Sequence, residues 1–345
     1  MKARGRPVDG DEAIRQTDDD AAASRLSAAN LGYLNDPFAS LLYKSPLASS
    51  SSGPSRKPPL INVGTHHRTY AIDFLVDRFF ATGGKQVVSL GAGSDTRFWR
   101  LMSRSRPPGL VRYVELDFPN VTSLKAQRIS RSPQLSSSLN NPSASTPSSS
   151  PPSTPQAFNV SQGGTCLSST IYKLLPLDLR ESPSSSLNRH LLPHLDPKLP
   201  TIFLAECVFC YMRPDESREV IRWFGERFER CCGAVYEMCG LEDTFGNVMK
   251  RNLASRGLSL PGAEPFRDTQ SQAARFLDTT LGEGVFQMSG AKSLWEIRNR
   301  VIAKHELARI AKLEHLDEIE ELRLVLSHYC VAWGTKGEDM HDVGL

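Results

Sequence analysis

No run of apolar residues in this 345-residue chain approaches the roughly 20 that a membrane-spanning helix requires. The first twenty residues are polar and end in Asp18-Asp19-Asp20, so they also lack the apolar core of a secretory signal. These absences predict a soluble protein of the cytoplasm, with the nucleus left open as a second compartment, and no membrane partner. An excess of either charge is missing too: 41 Lys and Arg against 38 Asp and Glu leave +3, dispersed along the chain, which supplies no basic face for nucleic acid. Cysteine is sparse and odd in number, 7, with Cys231 and Cys232 adjacent, a pattern unlike a secreted disulfide framework. Cys207 and Cys210 stand at zinc or redox spacing, but they follow directly on the apolar Ile202-Phe203-Leu204 and no second Cys-x-x-Cys exists. His66-His67 and the His190, His194 pair have no third ligand with a clear claim. The thiols read as buried and reduced, and no metal is assigned.

The chain is long enough to bury a substantial core as one elaborated α/β domain or two small ones. Three tracts, 49–59, 130–155 and 182–186, are rich in Ser and Pro and nearly devoid of large apolar side chains. Burial there cannot offset the entropy of ordering, so all three are expected to be surface loops. The expected organisation is a disordered tail over 1–23, a single domain over 24–337 with a disordered insertion at about 130–156, and a C-terminal tail over 338–345.

Between the tracts, strand-like and helix-like segments alternate. Residues 70–80 place Ile72, Leu75, Val76, Phe79 and Phe80 at i, i+3, i+4, i+7 and i+8, a helix with one buried face closed by Gly83-Gly84. Residues 86–90 and 112–116 read as strands and 121–129 as a helix. Residues 171–175 and 201–205 read as strands that deliver Asp178 and Glu206 at or near their carboxyl ends, where open α/β sheets bind ligands. Pro214 opens a helix with Val220, Ile221, Phe224 and Phe228 inward, and 234–238 form a fifth strand. Residues 316–327 then form a helix capped by Asp317, and 328–333 a closing strand. The alternation predicts an α/β fold with a doubly wound, mostly parallel sheet covered by helices.

The most informative stretch is Val87-Val88-Ser89-Leu90-Gly91-Ala92-Gly93-Ser94-Asp95-Thr96, followed by Tyr113-Val114-Glu115-Leu116-Asp117. A β-branched run entering a Gly-x-Gly turn, with an acid ending the next strand, is the unit that binds nucleoside cofactors. Glu115 and Asp117 alternate along the strand, so only one can face the ligand, and the terminal position favours Asp117 as acceptor for the ribose hydroxyls. A dinucleotide fingerprint needs a small residue where Thr96 stands, and no Gly-x-x-x-x-Gly-Lys-Ser/Thr is present. A cofactor with a ribose and no phosphate remains, of which S-adenosylmethionine is the common one.

Several motifs in order resemble the leucine carboxyl methyltransferases, a family that methylates the C-terminal leucine of the protein phosphatase 2A catalytic subunit. They are Asp36-Pro37-Phe38, the run from Pro59 through Asn62-Val63-Gly64 to Arg68, Leu90-Gly91-Ala92-Gly93 to Arg100, Glu115-Leu116-Asp117-Phe118-Pro119, Ala205-Glu206-Cys207 with Tyr211-Met212, and His328-Tyr329-Cys330 to Lys336. They span roughly residues 24–337. The resemblance implies the class I S-adenosylmethionine-dependent methyltransferase fold with N-terminal helical additions, and a monomer. It carries the family's cofactor contacts onto Arg25, Arg68, Gly91, Asp117, the Asp178-Leu179 pair and Glu206. At Arg25 the family relative has lysine, and Val63 stands where the family usually has arginine. Tyr211 reads equally as core or as a wall of the substrate pocket, and the Arg323, His328 and Lys336 region as helix surface and strand edge.

A C-terminal carboxylate, with a pKa of about 3.5, is already the ionised nucleophile at neutral pH. The implied chemistry therefore needs no catalytic dyad, only placement of the reacting atoms and exclusion of water. Arg68 is the candidate clamp, for the cofactor's carboxylate or the substrate's, with Tyr211 as its companion in positioning. Two other readings stand beside this one. One is a related S-adenosylmethionine-dependent O-methyltransferase acting on modified transfer RNA or a small-molecule carboxylate. The other is a non-catalytic scaffold for the phosphatase, against which the retained Gly91, Asp117 and Glu206 argue.

Overall fold

The computed structural model describes residues 10–43, 56–139 and 158–345. Nine strands occur among these residues: β1 (Gln86–Leu90), β2 (Arg112–Asp117), β3 (Phe158–Ser161), β4 (Cys166–Ser169), β5 (Tyr172–Pro176), β6 (Thr201–Glu206), β7 (Cys231–Met238), β8 (Met288–Ser293) and β9 (Tyr329–Lys336). They form one sheet in the order β3-β4-β5-β2-β1-β6-β7-β9-β8. The centre, β5-β2-β1-β6-β7, is parallel, and β3, β4, β8 and β9 extend it antiparallel at both edges. The order reverses at β1, whose neighbours are β2 and β6, and ligands of such sheets bind at this reversal.

Every residue of β1 and β7 is buried, as expected of strands covered on both faces. Side-chain alternation divides the core into two. Val87, Ile202, Leu204 and Ala234 pack on one face with Ile72, Leu75, Val76 and Phe79 of the Pro59–Ala81 helix. Val88, Leu90, Phe203 and Val235 pack on the other with Val220, Ile221 and Phe224 of the Pro214–Arg227 helix.

The Pro59–Ala81 helix starts well before the apolar period at Ile72, because Pro59 occupies its first turn and its early polar residues find buried partners. Asn62 donates from Nδ2 to Glu314 Oε2 at 2.7 Å, and Val63, the departure from the family pattern, sits in the core.

Several expectations are corrected. Residues 10–23, expected to be tail, lie in the Gly10–Asn30 helix. The insertion does not begin at 130. The Pro119–Arg131 helix runs past it, and Leu135 and Leu139 are buried, with Trp99 Nε1 donating to Leu135 O at 3.0 Å. Residues 140–155 of that tract, and 49–55 of the first, lie outside the described residues. The 338–345 tail is packed: Met340 and Val343 join the core, and Arg78 Nη1 donates to Asp342 O at 2.7 Å. The last helix begins at Ile319 after Glu318 without a side-chain cap, so Asp317 does not cap it. The edge strands β3, β4 and β8 were not foreseen; they are short and carry Ser, Asn and Gly in place of a clear apolar alternation.

One buried polar chain fixes its own protonation. Arg298 Nη1 stands 3.1 Å from His67 Nε2 and can only donate. His67 therefore carries its proton on Nδ1 and gives it to His66 Nδ1 at 3.0 Å, and His66 carries its own on Nε2, 2.8 Å from Glu306 Oε1. Burial pushes both rings below the ordinary histidine range, further for His67 than for His66, which Glu306 partly restores. The unfolded chain takes up protons near pH 6.5 and the folded rings do not, so this contribution to stability is complete above about 6.5 and is lost as the pH falls below it. Imidazole nitrogen spectra at pH 6.5 should show two neutral rings of opposite tautomer; a charged ring at either position would contradict the assignment.

Candidate active site

The carboxyl ends of β1, β2, β5 and β6 converge under the Gly10–Asn30 helix around a cavity of about 420 Å³, within the range of small-molecule sites. All the residues singled out from the sequence line it: Arg25, Arg68, Gly91, Asp117, Asp178, Leu179, Glu206 and Tyr211. The glycines of the turn after β1 are required by contact as well as by conformation. Gly91 has φ +58°, and a Cβ there would lie 2.6 Å from Val208 Cγ2; at Gly93, φ +46°, it would lie 2.3 Å from Asp18 Oδ1.

Asp117 ends β2 and turns into this space. Its Oδ2 accepts from Gly93 N and its Oδ1 from Phe118 N, each at 2.7 Å. Burial, with the charge of Asp18, pushes its carboxyl up to about 6 against the pull of those two amides. Glu115 points to the opposite face, where it is fully buried between Lys125 Nζ at 2.5 Å and Tyr172 OH at 2.7 Å. Burial pushes it up to about 7 despite Lys125.

The other wall is a network of ions. Arg68 Nε donates to Glu206 Oε2 at 2.6 Å, and Arg97 Nη2 stands 2.9 Å from Glu206 Oε1, so both oxygens of Glu206 are held. Burial alone would raise this carboxyl; Arg97 and Arg68 together keep it below the usual range. Arg97 is 1% exposed and also meets Asp95 at 2.5 Å and Asp73 at 2.9 Å. The Arg68 guanidinium lies 4.7 Å from the centroid of Tyr236, and its Nη1 and Nη2 make no hydrogen bond among the described residues. Arg25 gives Nε to Asp36 Oδ2 at 2.5 Å and to Thr96 Oγ1 at 3.0 Å, while its buried Nη2 has no hydrogen-bond partner among the described residues.

Asp178 is engaged by Arg180, whose Nη2 stands 2.6 Å away and which also binds Asp11 Oδ1 at 2.6 Å. Leu179 is a buried wall, and Tyr211 closes the turn after β6, donating its amide to Val208 O at 3.1 Å. His328 and Lys336 stay outside the cavity: His328 Nε2 meets Asp243 Oδ1 at 3.0 Å, and Lys336 Nζ donates to Gly225 O at 2.6 Å at a helix end. The seven cysteines are free, and no cluster able to hold a metal occurs among the described residues.

Sequence reasoning missed Asp18 and Arg97. Asp18 accepts from Ser94 N at 2.7 Å and Ser94 Oγ at 2.9 Å, and no local pattern marks it within an acidic run. Arg97 stood inside the quoted motif, where its spacing of two from Asp95 was the available signal.

Arg97→Met should destabilise the fold by about 3–5 kcal/mol in denaturant, since removing one member of a buried ion cluster leaves the others uncompensated; a loss below 1 kcal/mol would show that the cluster is not buried as described. Asp117→Ala should weaken S-adenosylmethionine binding at least about tenfold, at roughly 1.5–3 kcal/mol per charged hydrogen bond. In the unaltered protein that affinity should fall as the pH drops through about 6, where Asp117 takes up its proton. Calorimetry that finds neither effect would remove Asp117 from the nucleoside site.

The family model described as leucine carboxyl methyltransferase matches residues 10–225. Leucine carboxyl methyltransferase 1 of Cryptococcus neoformans is 61% identical, with 97% of this chain and 96% of that protein covered. The protein of that name from Aspergillus fumigatus is 36% identical over 94% of this chain and 83% of its own, and the Arabidopsis thaliana homolog 35% over 93% and 88%. Among solved structures, a putative methyltransferase from Thermobifida fusca aligns at TM-score 0.49 and 15% identity, covering 81% of this chain and 83% of that one. With the family match running over most of the chain and relatives 35–61% identical over nearly all of it, this protein belongs to the leucine carboxyl methyltransferase family.

Proposed function

We propose that this methyltransferase uses S-adenosylmethionine to esterify the C-terminal leucine carboxylate of the protein phosphatase 2A catalytic subunit. The observation that carries the reading is the Arg68 fork, braced at Nε by Glu206 and with Nη1 and Nη2 uncommitted at the cavity. A guanidinium held in this way is pre-organised to grip a carboxylate. Family membership adds the acceptor: the family name is that of an enzyme acting on a leucine carboxyl group.

The cavity fits the cofactor on its own terms. Asp117 offers a carboxylate to the ribose, Gly91 and Gly93 allow backbone approach, and Arg25, paired with Asp36 through Nε, keeps a buried Nη2 donor that has no hydrogen-bond partner among the described residues. Bound there, S-adenosylmethionine would supply a methyl group on a sulfonium, an electrophile that needs no further activation. The protein's part is placement. Arg68 orients a carboxylate, and Tyr211, Tyr236 and Tyr329 line the space and limit water. No residue is needed as general base, because the terminal carboxylate is ionised at neutral pH.

Arg68→Ala should reduce methylation by at least about a hundredfold, a loss typical of misplaced reacting atoms, while stability falls less than in Arg97→Met, because Arg68 is 28% exposed and Glu206 keeps Arg97 as its partner. Arg68→Lys should recover only part, since a point charge cannot reproduce the fork. The discriminating substrate is a phosphatase catalytic subunit whose terminal carboxylate is amidated. It should receive no alkali-labile methyl label, and label transferred to it would overturn carboxyl transfer.

A further inference from the structure

Behind the turn that carries Tyr211 lies a buried polar pair that does not line the cavity. Glu237, on β7, is 1% exposed and turns its Oε1 to two successive amides of that turn, Phe209 N at 2.8 Å and Cys210 N at 3.3 Å. Arg275, 2% exposed, lies 3.8 Å from the centroid of Phe266 and 5.4 Å from that of Phe209. Among the described residues none of its Nε, Nη1 and Nη2 atoms has a hydrogen-bond partner, nor has Glu237 Oε2.

The turn they support is under constraint. Cys207 adopts φ +56°, a conformation that a side-chain-bearing residue keeps only when its surroundings impose it. On one side Cys207 N donates to Tyr236 O at 2.7 Å; on the other Gly262 N donates to Cys210 O at 3.1 Å, so closely that a Cβ on Gly262 would lie 1.9 Å from Phe209 O. What this clamped segment presents to the cavity is Cys207, Val208, Tyr211 and Met212. Glu237 and Arg275 make no ion pair within 4 Å and feel each other's charge only at longer range; buried charges are in general a poor source of stability, and apolar residues of equal volume serve the core as well or better. A buried carboxylate aimed at consecutive backbone amides does something an apolar residue cannot: it sets where the turn sits.

We propose that Glu237 and Arg275 are positioning residues for the methyl acceptor: Glu237 anchors the turn through its amides, Arg275 holds the Phe209 ring and balances the charge, and the cavity wall at Val208 and Tyr211 is thereby placed for the substrate. The proposal rests on the carboxyl methyltransferase reading for its substrate and on the turn's own geometry for its anchoring.

The test uses the full chain. Removing one of the two charges leaves the other buried without its opposite, so the working variant is the double substitution Glu237→Met with Arg275→Met, which removes both charges and the amide acceptor and roughly keeps volume. It should melt near the unaltered protein and bind S-adenosylmethionine within twofold, while KM for the phosphatase catalytic subunit rises at least fivefold. Hydrogen exchange at the Phe209 and Cys210 amides should accelerate at least tenfold relative to β1. Glu237→Gln with Arg275→Met, which returns an acceptor oxygen without a charge, should slow that exchange again. KM and exchange both unchanged in the double variant, or cofactor and substrate binding weakened equally, would overturn the proposal. Should the unaltered protein not methylate the phosphatase at all, the functional reading falls, and exchange at the two amides still decides whether Glu237 anchors the turn.

Discussion

A single buried guanidinium holds the active-site half of the molecule together. Arg97 joins Asp73 from the Pro59–Ala81 helix, Asp95 from the turn after β1 and Glu206 from the end of β6. Those elements approach the same point from different directions, and each brings a carboxylate. Buried charges persist only when paired, so the approach is possible because Arg97 is there. Asp73 is further shared with Arg100, and Glu206 with Arg68. Arg68 is thus the outermost member of a chain of charges whose centre is inaccessible to water.

The β2 strand shows the same economy in two residues. Glu115 and Asp117 are separated by one residue, so the pleat sends them to opposite faces. The first ties β2 to Lys125, whose Nζ also donates to Asp95 O at 2.8 Å and so supports the glycine turn from below. The second takes the amide of Gly93 from the cavity side. The turn that would carry the nucleoside is held between them, and both acids are pushed upward by burial, Glu115 to about 7 and Asp117 to about 6.

What was legible in the sequence follows from the range of the interactions involved. Strands β1, β2, β5 and β6 announce themselves because a buried parallel strand is a run of apolar residues, and the glycine turn because its conformation needs those residue types. The Gly10–Asn30 helix gave no such signal. Its buried positions are Ala13, Ala22, Leu26, Ser27 and Ala28, too small and uneven for an apolar period. It is fastened instead by pairs distant in the chain: Asp11 with Arg180, Asp18 with Ser94 and Asp20 with Arg256. The C-terminal segment was missed for a related reason, since Met340 and Val343 are too few to form a pattern alone but complete a core built by others. The residues that line the cavity were legible through motifs and resemblance; Arg97 and Asp18, which organise them, act through partners that a linear pattern does not name.

The meeting of Gly93 and Asp18 bears on how this chain can change. A side chain at 93 would strike the carboxylate at 18, and Ser94 next to it supplies both of that carboxylate's hydrogen bonds. The two sites, far apart in the chain, therefore restrict one another. Enlarging residue 93 is tolerable only in a lineage that has already shortened residue 18, and an alteration at 18 releases a restriction on the glycine turn. The terminal helix, which by composition looks free to drift, is bound to the history of the motif it covers.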